Sequence, residues 1–258
     1  MNDQTQLLIE DSDSVRRLTL NCPQRRNALT RVLIDQLSAQ LEKCRQDKAI
    51  KVVVIAASGS VFCAGHDLTE LSVLNRTQRQ GLMAACSGLM LAIKNLPQPV
   101  IAQVQGVATA AGCQLVATCD LAVAAASARF ATPGVNIGLF CSTPAVALSR
   151  SVPEKLAMRM LLTGDMIGAQ QALQMGLISD LVEDAQLEKA TDQLARLIAS
   201  KSAGCIGTGK ESFVRQQGLS LEQAYLDAST VMVENLETAA AQEGISAFLD
   251  KRSPCWPD

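Results

Sequence analysis

Two short apolar runs, residues 52–57 and 99–104, are each followed within ten residues by a glycine-bearing turn. Runs of this length and composition read as strands buried in a core. The later run leads into Gly106-Val107-Ala108-Thr109-Ala110-Ala111-Gly112-Cys113-Gln114-Leu115, after which residues 115–119 read as a short apolar helix. Small residues between strand and helix let a ligand approach the backbone, and the first N–H groups of a helix are free donors at its positive end. Such a junction suits an oxyanion. One junction alone could equally serve tight packing of strand on helix. The earlier run leads into a second junction of the same kind, Phe62-Cys63-Ala64-Gly65-His66-Asp67-Leu68, and two such turns can aim two N–H groups at one point.

In order, separation and content these two turns resemble those of the crotonase (enoyl-CoA hydratase/isomerase) superfamily. The resemblance extends from Arg26-Asn27-Ala28-Leu29 to Glu243-Gly244-Ile245-Ser246-Ala247-Phe248-Leu249-Asp250-Lys251-Arg252. It implies an α/β fold, a crotonase-like spiral of repeated β-β-α units over residues 1–185 that carries an acyl-CoA site. Residues 186–258 would form an all-helical trimerisation region, giving a homotrimer or a hexamer made as a dimer of trimers. The implied ligand is an acyl-CoA, with coenzyme A arriving as part of the substrate and no permanently bound cofactor. Its thioester oxygen would sit between the backbone N–H groups of His66 and Ala111. Arg25, Arg26, Ala28, Ala64, Asp67 and Leu68 would line the coenzyme A side, with Phe248 and Lys251 reaching it from a neighbouring subunit. For the three basic residues a solvated charge is the alternative reading. Asp67 also suits the first turn of a helix, where an acid meets the dipole.

The resemblance also says which groups would do chemistry. Hydratases of the superfamily move protons with two glutamates, and the matching positions here are Gln114 and Gly134. If each such group is worth roughly 10²–10⁴ in rate, losing both removes about 10⁴–10⁸. Proficient hydration is therefore not expected, although the oxyanion hole would remain. The His66 ring has an ordinary pKa suited to proton transfer, but its matched role is its backbone N–H and its ring is read as facing solvent. Cys141 and Ser142 lie where other members place a reaction-specific group. Cys141 has no base within a few residues and reads as a buried thiol, while Ser142, two residues before Pro144, reads as a helix N-cap. Gln114 and Asn136 could orient a water or the thioester. Ala64-Gly65-His66-Asp67 is similar to methylmalonyl-CoA decarboxylases. The phrases G-H-D-L, A-A-G-C-Q-L and F-A-T-P-G-V-N most resemble the enoyl-CoA hydratase domain-containing proteins of the third type. The expected function is enolate stabilisation on an acyl-CoA, in the lyase or isomerase class. The alternatives are acyl-CoA decarboxylation or thioester hydrolysis, and acyl-CoA binding without catalysis.

Composition narrows the rest. A net charge of -2 with 3% aromatic residues offers neither a basic stripe nor stacking platforms, so nucleic acid is not an expected partner. No run of eighteen apolar residues occurs, so no membrane span is expected. The nine cysteines contain no C-x-x-C and the chain has a single histidine, so no metal site is expected. Unpaired thiols in apolar surroundings, with a non-basic start at Met1-Asn2-Asp3-Gln4, point to the cytoplasm. Further expectations are a strand over 15–21 and a helix over 32–44 with Thr30 as its cap and Leu33, Leu37 and Leu41 on one face. A polar, mobile segment is expected over 70–80, then a helix over 81–95 packed through Met83, Met90 and Leu91. Strands follow at 120–124, 128–130 and 180–183, and helices at 154–162 and 168–175, the latter closed by Gly176. Tail helices are expected at 187–200, 209–216, 221–235 and 238–249.

Overall fold

A computed structural model describes residues 6–257; Met1-Asn2-Asp3-Gln4, read above as the start of the chain, lies outside them. The chain opens with a hairpin, β1 (Leu7–Ser12) and β2 (Val15–Leu20), followed by α1 (Arg31–Gln46). It then repeats one plan three times. A longer strand is followed by a strand of three residues and then by helix: β3 (Val52–Ala57), β4 (Val61–Cys63), α2 (Leu68–Val73) and α3 (Arg76–Asn95). Next come β5 (Val100–Val104), β6 (Val107–Thr109) and α4 (Ala111–Thr118), then β7 (Leu121–Ala125), β8 (Arg129–Ala131) and α5 (Ser142–Ser151). The spiral closes with α6 (Glu154–Thr163), β9 (Ile167–Gly168), α7 (Ala169–Gln174) and β10 (Asp180–Val182), before the tail helices α8 (Leu187–Ala199), α9 (Ala203–Gln216), α10 (Leu221–Leu236) and α11 (Ala239–Leu249).

Each turn of the spiral gives its longer strand to one sheet and its short strand to another. The larger sheet has the order β1-β2-β3-β5-β7-β10, parallel except for the β1–β2 hairpin. The smaller has the order β4-β6-β8-β9. Successive side chains of a strand face opposite ways. On β3, Val53 and Ile55 enter the main core, while Val52 and Val54 pack on the opposite face with Ile101, Val123, Leu187 and Ala195. Helix α8 covers that second face, which is why the strands read as unbroken apolar runs. On the first face α1 buries Leu33, Leu37 and Leu41 behind the Thr30 cap, whose hydroxyl accepts from the Leu33 N–H at 3.2 Å. Each such leucine contributes about 1.5–3 kcal/mol by leaving water.

Several sequence expectations need correcting. Residues 70–80 are not a mobile loop: α2 ends within them and α3 begins at Arg76, because Asn75 and Gln78 cap that helix reciprocally. Leu91 is exposed on α3, whereas Met90 is buried. The stretch 106–115 is a strand and a helix start rather than one long turn, with α4 beginning at Ala111. Ser142 is the first helical residue of α5 and Cys141 holds the cap position, so the serine hydroxyl turns to the Phe140 carbonyl instead. Helix α9 starts six residues earlier than expected because Ser202 caps it, accepting from the Cys205 N–H at 3.1 Å. Strand β1 carried no sequence signal, since only Leu7 of its six residues is buried.

Beyond α8, the tail is fastened to the spiral by a buried lysine. Lys210 of α9 donates to the carbonyls of Ile93 and Gln98 at 3.0 Å and to the Asp120 carboxylate at 2.6 Å. That carboxylate oxygen also accepts from the Val100 N–H. Helix α10, by contrast, buries none of its residues.

Candidate active site

Three segments converge. The turn after β2, the turn after β4 and the junction of β6 with α4 are stitched together by their backbones. The Ala64 N–H donates to the Arg26 carbonyl at 3.1 Å, and the Leu29 N–H to the Gly65 carbonyl at 2.8 Å. Arg26 and Asn27 both adopt left-handed backbone, with φ near 53° and 51°. The fully buried Asn27 side chain makes that bend affordable, accepting from the Cys22 N–H and donating to the carbonyls of Ser58 and Val61. From the other side, the Thr109 hydroxyl donates to the Ala64 carbonyl at 3.1 Å.

Two glycines permit this closeness. Gly65 has φ +94°, and a Cβ there would lie 2.9 Å from the Ala110 side chain and 3.2 Å from the Ala111 nitrogen. A Cβ on Gly112 would lie 2.1 Å from the Cys63 carbonyl oxygen. The two turns are therefore in backbone contact, with the His66 and Ala111 positions flanking the seam. Among the described residues neither the His66 nor the Ala111 N–H has a hydrogen-bond acceptor. Ala111 opens α4, whose first turn holds no acidic residue, so its N–H stands at an uncompensated helix N-terminus. Ala110, just before it, has φ 51° and ψ −118°, a conformation that costs a non-glycine residue about 1–3 kcal/mol. Its N–H is pinned to the Ala131 carbonyl at 2.9 Å. Strain held in place by neighbouring bonds, beside a free donor, is the kind of feature that clusters at functional sites.

The remaining candidates fall into place around this seam. The His66 ring is turned inward rather than to solvent: its Nδ1 lies 3.3 Å from the Leu29 carbonyl, to which the backbone bridge between these residues brings it. Its Nε2 is buried without a partner, and burial pushes the ring's pKa below its ordinary value of 6.5. Asp67 caps α2, accepting from the N–H groups of Thr69 and Glu70, and its second oxygen pairs with Arg25. Ala28 is buried, Ala64 half-buried, and Arg26 and Leu68 exposed. Phe248 and Lys251 lie at the end of α11, which packs on α9 and α10, and Phe248 is 82% exposed.

Gln114 sits one helical turn beyond Ala111, 4% exposed, with its Oε1 buried and unpartnered. Gly134 lies in a single turn of tight helix, Pro133–Ile137, and a Cβ there would fall 2.1 Å from the Leu139 carbonyl and 2.8 Å from Cys141 Sγ. The backbone as folded leaves no room for a side chain at 134. Cys141 is 8% exposed, and burial raises its thiol pKa, partly offset by a hydrogen bond from the Gly134 backbone. It is a protonated thiol at neutral pH. Sequence reasoning passed over Ala110, Asn27 and Thr132. The last is fully buried beside Pro133 with an unpartnered hydroxyl, and only the composition of its neighbours could have hinted at it.

A family model described as enoyl-CoA hydratase/isomerase matches residues 10–258. A rat protein named enoyl-CoA hydratase domain-containing protein 3, mitochondrial, is 48% identical over 245 residues, covering 95% of this chain and 82% of the relative. The crystal structure of the human enoyl-CoA hydratase domain-containing protein 3 superposes with a TM-score of 0.95 at 46% identity, over 97% of this chain and 100% of the other. An enoyl-CoA hydratase structure from Mycobacterium smegmatis gives 0.96 at 46% identity, over 99% and 100%. The expectation of a cytoplasmic protein is overturned here, because the rat relative and its vertebrate counterparts at 46–48% identity are named as mitochondrial. Free thiols separate reducing from oxidising compartments and do not distinguish one reducing compartment from another.

Proposed function

The chain belongs to the enoyl-CoA hydratase/isomerase family, and from that premise we propose that it stabilises the enolate of an acyl-CoA thioester between the N–H groups of His66 and Ala111. The observation that carries this reading is the pair of free donors on two turns in backbone contact. Fixed dipoles aimed at a developing oxyanion need no reorganisation during the reaction, and one such donor is typically worth roughly 10²–10³ in rate. Gln114 cannot exchange a proton and position 134 has no room for a side chain, so neither supplies the proton transfers that the addition of water requires, while the two N–H groups remain to stabilise an enolate.

A second reading, decarboxylation or hydrolysis of a small acyl-CoA, is favoured by the same two positions. Loss of CO₂ produces the enolate without a base, and neither Gln114 nor Gly134 supplies one. Residues 186–258 would assemble the chain into a trimer or a dimer of trimers. That reading is supported by α10, where Leu221, Tyr225, Leu226, Met232 and Val233 are each more than half exposed. Phe248 and Lys251 would then meet the coenzyme A of a neighbour.

The test is product analysis by mass spectrometry of the purified protein with crotonyl-CoA, a long-chain enoyl-CoA, methylmalonyl-CoA and acetyl-CoA. Release of CO₂ with slow hydration supports enolate chemistry at this site, whereas release of free coenzyme A would mean that the two donors serve the tetrahedral oxyanion of hydrolysis instead. Fast formation of 3-hydroxyacyl-CoA would show that other residues supply both proton transfers. Binding without turnover would leave a thioester-binding protein.

A further inference from the structure

Each of the two free donors belongs to a peptide plane that begins at a residue in the seam: Gly65 precedes His66, and Ala110 precedes Ala111. The atom nearest to a Cβ built on Gly65 is the Ala110 Cβ at 2.9 Å, ahead of the Thr109 carbonyl oxygen at 3.0 Å and the Ala111 nitrogen at 3.2 Å. The Ala110 methyl therefore fills the space in front of Gly65. The direction of the Ala111 N–H follows from ψ of Ala110, which at −118° with φ 51° lies in a region that glycine enters freely and alanine does not. Two backbone bonds pin the residue on its own side: its carbonyl accepts from the Gln114 N–H at 3.0 Å, and its N–H donates to the Ala131 carbonyl at 2.9 Å. Neither bond crosses to the turn that carries His66, and glycine at 110 would make both. What alanine adds, in return for the strain, is a methyl against the opposite turn.

We propose that the Ala110 methyl is a spacer that sets the separation and relative aim of the His66 and Ala111 N–H groups, which makes Ala110 a positioning residue for the oxyanion. The inference rests on the enolate reading above and adds to it a residue that touches no reacting atom. Glycine at 110 would relieve the strain, and it would also remove the one side-chain group among the three nearest neighbours of the Gly65 position. The two turns could then close toward each other, and ψ at 110 would range more widely. Both changes turn the Ala111 N–H away from a common point. Donors placed for an oxyanion act on full negative charge, whereas the neutral thioester carbonyl of the ground state gains much less from the same alignment. Loss of the spacer should therefore weaken the hold on the enolate and spare the hold on the unreacted thioester.

Acetoacetyl-CoA bound to the full chain tests this, because its enolate absorbs in the near ultraviolet apart from the keto form; isothermal titration with butyryl-CoA reports ground-state binding. Ala110→Gly should lower the bound enolate-to-keto ratio about tenfold, a part of the roughly 10²–10³ that one donor is typically worth, and keep butyryl-CoA affinity within about twofold. Its urea-unfolding midpoint should be kept or raised, since glycine relieves the strain. Ala110→Ser, which retains the Cβ, should recover most of the ratio lost in Ala110→Gly. An unchanged ratio in Ala110→Gly overturns the inference and leaves the enolate reading standing, as does a loss shared equally by butyryl-CoA. If the unaltered protein raises the enolate band no higher than in the free ligand, the enolate reading itself falls, and this inference with it.

Discussion

Around Gly65 and Gly112 the close approaches are met within the chain itself, by Cys63, Thr109, Ala110 and Ala111, whereas α10 presents Leu221 and Tyr225 at 75% and 70% exposure with no residue buried. The paired turns are complete within one chain. The tail is not: it holds to the spiral through α8, through Lys210 and through packing of α9 on α3, and leaves the rest of its apolar surface uncovered. The contrast teaches where each part gets its rigidity. The pair of N–H groups proposed to act on an oxyanion would have to be fixed to within a fraction of an ångström, which backbone contact provides. The subunit interface proposed for the tail would need area more than position, which side chains on helices supply.

Four substitutions probe that contrast. The largest effect is expected for Gly112→Ala, whose added methyl would meet the Cys63 carbonyl at 2.1 Å. Urea unfolding should show a loss of about 3 kcal/mol; a loss under about 1 kcal/mol would mean that the two turns have slack and that their contact is not what aims the donors. Next is Lys210→Met, which cuts the seam between the two regions. It removes the lysine donor from two carbonyls and the cationic partner from the Asp120 carboxylate, which keeps only the Val100 N–H, and the expected cost is about 2–3 kcal/mol, below the usual figure for a buried pair because Asp120 is partly exposed. An unchanged unfolding midpoint would show that packing alone holds the tail.

Leu226→Glu, on the exposed face of α10, should leave the stability of an isolated chain within about 0.5 kcal/mol of the original. Sedimentation should show the proposed trimer or hexamer of the unaltered protein reduced to single chains; an unchanged mass would place any subunit contact elsewhere. The smallest effect concerns His66, the chain's one histidine. Burial lowers its pKa in the native state, so between its unfolded and native values the unfolded chain binds the proton first. That contribution to stability is therefore present above about pH 6.5 and lost as the pH falls below it. Between pH 7.5 and 5.5 the unaltered protein should lose up to about 1 kcal/mol more than His66→Gln. Parallel stability curves for the two proteins would show that the ring takes up its proton as readily folded as unfolded.

Much of the spiral was legible because burial on both faces leaves a plain signature. Residues 52–57 and 100–104 are apolar without interruption except at Gln103, and Thr30 before Leu33, Leu37 and Leu41 marks both the start and the face of α1. The reach of α3 was obscured because Arg76, Gln78, Arg79 and Gln80 look like loop, and only the reciprocal cap of Asn75 and Gln78 makes them helix. The exposed strand β1 left no trace, since its neighbours stabilise it through backbone bonds that any sequence can make. Within the site, the glycine turns and the missing carboxylates could be read directly from residue types. The inward His66 ring could not, because its orientation follows from a bridge to Leu29, thirty-seven residues away.

By itself the sequence determined the α/β alternation, the two glycine-bearing turns, and the absence of a carboxylate at 114 and 134. These follow from local preference and from the identity of single side chains. The tertiary structure alone decided that the turns touch, that Ala110 is strained beside Ala111, that Leu139 and Cys141 fill the space at Gly134, and that Thr132 joins Gln114 as a buried orphan. Each of these depends on the distance between segments far apart in the chain. Such distances come from packing three successive spiral turns against one another, a sum over many weak contacts that no single stretch of residues encodes.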